Sequence, residues 1–159
     1  MTMPTSIYRF LIQSIFEPDN LFPTWYTGNG EKTYAKEWIE AQIMEESSGN
    51  PKAYRDDGTY HSYGLLQITD ITARSILKNP TITDFTFLYD PAINLAIGRL
   101  VLLDIINYSR AAGRNITVSL ILARYNGGSI GNPGLNGSLR NQTYVDRVAE
   151  YCKQVRQDI

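Results

Sequence analysis

The chain has 159 residues, 43% hydrophobic and 19% charged, which fits one soluble-type domain over residues 1–159 around a single core. A formal net charge of −1 excludes the basic stripe that a nucleic-acid binder carries. One cysteine and one histidine exclude an internal disulfide and a His/Cys metal set, and no apolar run reaches the ~18 residues that a membrane span needs.

Residues 6–16 read as a short helix with Ile7, Phe10, Leu11 and Ile15 near one face. The apolar stretch 10–16 contains Gln13 and lacks a small-residue cleavage pattern, so no signal peptide is expected. Residues 20–30 are rich in Pro, Gly, Asn and aromatics and read as a loop. Trp25 and Tyr26 within it are packing residues or sugar-stacking candidates. A helix is predicted over 33–48, with Ala35, Ile39, Gln42, Ile43 and Glu46 on one face; Gly49 is a natural cap and Pro51 prevents continuation.

The segment 53–63 is centred on Asp57-Gly58, a hairpin signal flanked by Tyr54, Tyr60 and Tyr63, and is the only β excursion expected. Residues 65–77 return to helix. Asp90-Pro91 then supplies an N-cap and a proline at the first helical position. The helix that follows, 91–110, is apolar nearly all round and is predicted to lie buried at the centre of the domain. Thr117 caps a helix over 118–126 that ends at Gly127-Gly128, and a Gly- and Pro-rich loop runs on to Gly134. The last helix, 142–156, carries Val145, Val148, Ala149, Cys152 and Val155 as a stripe, so Cys152 is expected to be a buried, inert thiol. The fold class is therefore α+β, predominantly α, with one small hairpin lobe.

Glu46 extends the face of Ile39 and Ile43 into the last turn of its helix. Burial and the negative end of the helix dipole both disfavour a carboxylate there. The dipole contributes ~0.3–1 kcal/mol when exposed, so burial has to supply most of the effect. A carboxyl kept protonated near neutral pH is a general acid. Periodicity alone does not separate Glu46 from Glu45, which follows Trp38 and Ala41 at comparable spacing, and a Glu at a helix end is commonly just solvated.

Five segments raise Glu46 above that reading. Glu46-Ser47-Ser48-Gly49-Asn50-Pro51 resembles the Glu-Ser-x-x-Asn-Pro block of the soluble lytic transglycosylase-like family. Gly64-Leu65-Leu66-Gln67-Ile68 is similar to its Gly-Leu-Met-Gln-Ile block, and Asp90-Pro91-Ala92-Ile93-Asn94 to its Asp-Pro-x-x-Asn helix start. Ala123-Arg124-Tyr125-Asn126-Gly127-Gly128 resembles its Ala-x-Tyr-Asn-x-Gly turn, and Tyr144-Val145 its late Tyr-Val pair. The blocks stand in the family's order over residues 35–150.

The resemblance implies a lysozyme-like fold with the β lobe over a substrate groove. It implies Glu46 as the sole catalytic acid/base. Gln67 would bond sugar groups from the groove floor, or tie the lobe to the helix. Tyr125 would turn its hydroxyl toward Glu46, and Asn126 would contact sugar or merely hold the turn. Tyr144 would line the groove or pack. The segment between Glu46 and Gly64 is longer than in typical members, and Ser62 is the candidate for a hydroxyl near the acid. Arg140 stands where many members carry a Glu.

The implied substrate is the glycan strand of peptidoglycan, cut between N-acetylmuramic acid and N-acetylglucosamine by a monomer without cofactor or metal. One carboxyl suffices for a lytic transglycosylase, because the muramic C6 hydroxyl attacks its own C1 and gives a 1,6-anhydro product. A goose-type-like lysozyme would instead need a second carboxylate, ~6.5–9.5 Å away, to position water. Asp56, Asp57 and Asp70 are available, with Asp57 and Asp70 the stronger candidates. A non-catalytic wall-binding component is the reading of a different class. Without a signal peptide, action at the wall follows release by another factor, as for a phage lysis protein or virion component.

Overall fold

The structure is a computed structural model describing residues 2–17, 20–27, 30–127 and 141–159. A 3-10 turn (Pro4–Tyr8) leads into α1 (Arg9–Phe16), whose inner face buries Ile12 and Phe16. Two short strands follow, β1 (Trp25–Thr27) and β2 (Glu31–Thr33), paired antiparallel with Trp25 opposite Thr33. This hairpin overturns the expectation of a single β excursion and of a loop over 20–30. Strands of three residues are too short to show alternation. Trp25 packs on the core, Tyr26 is exposed, and Thr27 and Thr33 are buried.

α2 (Ala35–Ser47) begins with the Tyr34 N–H donating to Glu37 Oε1 at 3.1 Å. Every residue from 37 to 43 is buried, so α2 is the helix surrounded on all sides. Its buried Glu40 is matched: Arg9 Nε donates at 2.9 Å and Thr5 Oγ1 at 2.7 Å. Ser48 closes the helix in the left-handed region (φ 54°), one residue before the expected glycine.

The β lobe has three antiparallel strands, β3 (Tyr54–Asp56), β4 (His61–Tyr63) and β5 (Ile68–Thr69), with β4 in the middle. The helix expected over 65–77 is shortened to α3 (Asp70–Ile76). Gly64 (φ 78°) and Gln67 (φ 49°) break the chain direction ahead of it. Ile68 and Thr69 then pair with β4, and the Thr69 hydroxyl caps α3 by accepting from Thr72 N at 3.0 Å.

A second 3-10 turn (Thr86–Tyr89) precedes α4 (Pro91–Ala111), which Asp90 caps by accepting from Ile93 N at 3.0 Å. α4 is not buried all round as predicted. Ile93 and Leu100 are exposed, while Leu95, Ile97, Leu102 and Ile106 face the core. It is the one described helix long and apolar enough to cross a bilayer, yet it packs against α1, α3 and α5 as part of the domain.

Asn94 on α4 is fully buried and clasps the lobe: Oδ1 accepts from Leu66 N at 3.0 Å, and Nδ2 donates to the Tyr63 and Leu88 carbonyls at 3.0 and 2.9 Å. A Cβ on Gly64 would sit 2.3 Å from that same Nδ2, so only glycine fits beneath the clasp.

Thr117 caps α5 (Val118–Gly127) by accepting from Leu120 N at 3.1 Å. From Gly128 on, the expected loop lies outside the described residues, as does Arg140. α6 (Gln142–Asp158) packs along α2 with Tyr144, Val145, Val148, Cys152 and Val155 inward. Burial pushes the Cys152 thiol up to about 12, which keeps it neutral and unreactive.

Candidate active site

The end of α2, the lobe and the end of α5 enclose an open groove of about 420 Å³. α2 contributes Glu46, the lobe contributes Arg55, Ser62, Gln67 and Thr69, and α5 contributes Tyr125, Asn126 and Gly127. Of the residues singled out from sequence, Glu46, Ser62, Gln67, Tyr125 and Asn126 meet here; Tyr144, Asp57 and Asp70 do not line the groove.

Glu46 is half-buried, and its Oε1 accepts from the Tyr144 hydroxyl at 2.7 Å. Burial pushes its pKa up to about 7, against the Tyr144 hydrogen bond and the Arg55 charge that lower it, with Glu45 adding a small push upward. Desolvation therefore wins over two stabilising partners. Glu45, the rival by periodicity, is ion-paired with Arg147 of α6 and is absent from the groove lining.

Tyr144 reaches Glu46 from α6, across the seam with α2, and is only 4% exposed. Tyr125 donates instead to the Leu66 carbonyl at 2.6 Å, so its hydroxyl ties α5 to the turn before β5 while its side chain lines the groove. The Glu46 charge still reaches Tyr125, whose pKa is raised by burial first and by Glu46 second.

Gln67 holds a left-handed backbone, a conformation that costs a non-glycine residue ~1–2 kcal/mol. Its amide nitrogen offsets this by donating to Ala53 and Gly64 carbonyls at 3.2 and 3.1 Å. The side chain thus ties the lobe together. Ser62 is 2% exposed on β4, opposite Arg55 and Thr69. Asn126 is exposed at the groove's edge.

The two water-positioning candidates are engaged elsewhere. Asp57 accepts from Arg55 Nε at 2.9 Å in the exposed hairpin. Asp70 starts α3 and contacts His61 Nδ1 at 2.9 Å; burial pushes its pKa up, but bonds from His61 and Ile71 outweigh that and hold it below the ordinary carboxylate range. Asp56 accepts from Gly58 N at 2.8 Å within the turn. Glu46 is the only carboxylate among the described lining residues.

Several contributors escaped sequence reasoning, Thr69, Ile71 and Thr72 of the groove lining among them. Arg55 and Tyr60 line the groove, but an Arg on a short exposed strand and a hairpin tyrosine carry no signal of their own. Asn141 donates from Nδ2 to the Ala123 carbonyl at 2.9 Å and so steadies the end of α5. No group of three His, Cys, Asp or Glu among the described residues could hold a metal ion.

The family model described as the transglycosylase SLT domain matches residues 25–133. No curated protein and no solved structure matches the chain. The matched segment includes the helix that carries Glu46, the lobe, the clasp of Asn94 and α5 with Tyr125. Covering more than half of the chain, it makes this protein a member of the transglycosylase SLT domain family, the peptidoglycan-degrading lytic transglycosylases.

Proposed function

We propose that Glu46 is the single acid/base of a lytic transglycosylase that cuts the β-1,4 bond between N-acetylmuramic acid and N-acetylglucosamine. The observation that carries this is that Glu46 is the one carboxyl among the described residues lining the groove and that burial pushes it up to about 7. At pH 7 a carboxyl so raised keeps its proton in a substantial share of molecules, against roughly one in 300 at the ordinary value of 4.5.

Glu46 gives its proton to the glycosidic oxygen as the C1–O bond breaks. The muramic C6 hydroxyl then bonds to C1, and the Glu46 carboxylate takes the hydroxyl proton back. The enzyme ends in its starting state and the product is 1,6-anhydromuramic acid. Intramolecular attack is worth an effective molarity of about 10⁵ M or more in well-oriented cases, which removes the need for a second carboxylate. Gln67, Ser62, Tyr125 and Asn126 are the polar groups positioned to meet the sugars. The engagement of Asp57 with Arg55 and of Asp70 with His61 favours this route over water-based hydrolysis. Such a substrate sets its work at the bacterial wall, where a phage lysis protein or virion component would also act.

The test is product analysis of digested peptidoglycan with Glu46→Gln as control. Anhydro ends, lighter than hydrolysed ends by one water, are expected from the natural chain and none from the variant. Reducing muramic ends would establish a hydrolase instead. Undiminished cleavage by the variant would remove Glu46 as catalyst.

A further inference from the structure

Arg55 lies outside the ordered sequence blocks, which give it no role. In the β lobe it stands directly opposite Ser62, and Ser62 directly opposite Thr69. Residues paired across strands share a face of the sheet, so these three form one row across β3, β4 and β5. All three line the groove. Their neighbours along the strands belong to the other face. There the Tyr54 ring lies 5.3 Å from that of Tyr63 and stacks on His61 at 6.1 Å. The pleat itself turns the row toward the groove.

Ser62 and Thr69 are neutral hydroxyls, and Arg55 ends the row with a charge. It is the one cation among the described lining residues, as Glu46 is the one carboxyl. Its Nε donates to Asp57 Oδ2 at 2.9 Å, and its side chain is 60% exposed. The two terminal amino groups have no partner among the described residues. An ion pair this exposed contributes little to stability, so the fold does not call for the arginine. A guanidinium held through Nε still presents a fork of N–H donors, the geometry that a carboxylate accepts in bidentate fashion.

The wall strand offers such an anion. Muramic acid differs from N-acetylglucosamine by a lactyl ether on C3 that ends in a carboxyl group. Where no peptide is attached, that carboxylate is free; where one is, the nearest carboxylates belong to the peptide. A phosphodiester on the C6 hydroxyl is excluded, because that hydroxyl has to attack C1. With a net charge of −1 the protein exerts no general attraction on an anionic strand, so the charge is recognised only where a cation meets it.

We propose that Arg55 is a specificity residue: its guanidinium binds a carboxylate carried on the lactyl arm of muramic acid, that of the arm itself or of the attached peptide, and so selects acidic wall strands over neutral ones. The inference rests on the groove taking wall glycan with Glu46 as the acid.

The experiment compares strands freed of peptide with strands that bear it, each untreated or with its carboxyls converted to methylamides. E46Q holds the strands uncut for calorimetric binding, and the natural chain gives kcat/KM. Untreated strands should be preferred about five-fold, through KM, and R55Q should abolish the preference in both measurements. R55K, which keeps a charge without the fork, should retain part of it. Arg55 also lowers the Glu46 pKa, but its loss acts alike on treated and untreated strands and cancels in their ratio. A preference confined to peptide-free strands assigns the lactyl carboxylate, and one confined to peptide-bearing strands assigns the peptide. Equal handling of treated and untreated strands, or a preference that survives R55Q, overturns the proposal and leaves the Glu46 reading intact. Binding of no strand at all overturns both. If E46Q still cuts while the preference depends on Arg55, the acid assignment alone falls.

Discussion

Replacing Glu46 by Gln should make the folded protein more stable at pH 8 and leave it unchanged at pH 4. An acid whose folded pKa is raised holds its proton more tightly folded than unfolded. Its ionisation therefore costs stability as pH rises, beginning at the ordinary value of 4.5 and complete above about 7. Each pKa unit is worth about 1.36 kcal/mol, so the full cost is about 3 kcal/mol. Solvent reaching the half-buried side chain trims this, and a gain of about 2–3 kcal/mol is expected at pH 8. Gln matches neutral Glu in shape and can still accept from Tyr144. Urea unfolding of both proteins at pH 4, 6 and 8 reads the difference, with the denaturant slope serving as the check that the unfolded state is unchanged. A stability difference that does not vary with pH would refute the argument that burial holds this carboxyl neutral.

Tyr144→Phe removes a hydrogen bond that favours the Glu46 carboxylate, so the alkaline limb of the pH-rate profile should rise by about 1 pH unit; an unmoved or lowered limb contradicts the 2.7 Å contact. Gly64→Ala forces a Cβ into Asn94 and the Leu88 carbonyl at a left-handed position, and should cost about 3 kcal/mol or more by thermal unfolding, with wild-type stability as the contrary result. Asp57→Asn should leave the cleavage rate within about two-fold, since the residue bonds an exposed arginine; a hundred-fold loss would restore the hydrolase reading. Asp70→Asn should remove a stabilisation present above the ordinary Asp range and lost as pH falls through the depressed value, read by denaturation at pH 3 and 6.

The long helices were legible because capping residues and apolar periodicity act locally: Asp90 with Pro91, Thr117, and the stripe through Val148 and Cys152 each signal without the rest of the fold. The centre of the domain was not. α4 is the more apolar helix, yet α2 is the enclosed one, because Glu37, Glu40 and Gln42 are buried by neighbours that only the tertiary structure supplies. β1, β2 and β5 are too short for alternation, and β5 exists because Gly64 and Gln67 turn the chain. At the groove, ordered sequence blocks bring out Glu46, Gln67 and Tyr125, but the directions of two hydroxyls are set by packing. Tyr125 bonds a backbone carbonyl from α5, and Tyr144 meets the acid from α6, a seam that no local pattern encodes.

The Asn94 clasp separates what must stay fixed from what is free to drift. It seizes the chain immediately after the β3 and β4 hairpin, so extra residues at the tip near Gly58 would be absorbed before the backbone reaches Gly64 and Gln67. An enlarged lobe can thus evolve new sugar contacts through insertions while the distance from lobe base to acid stays constant.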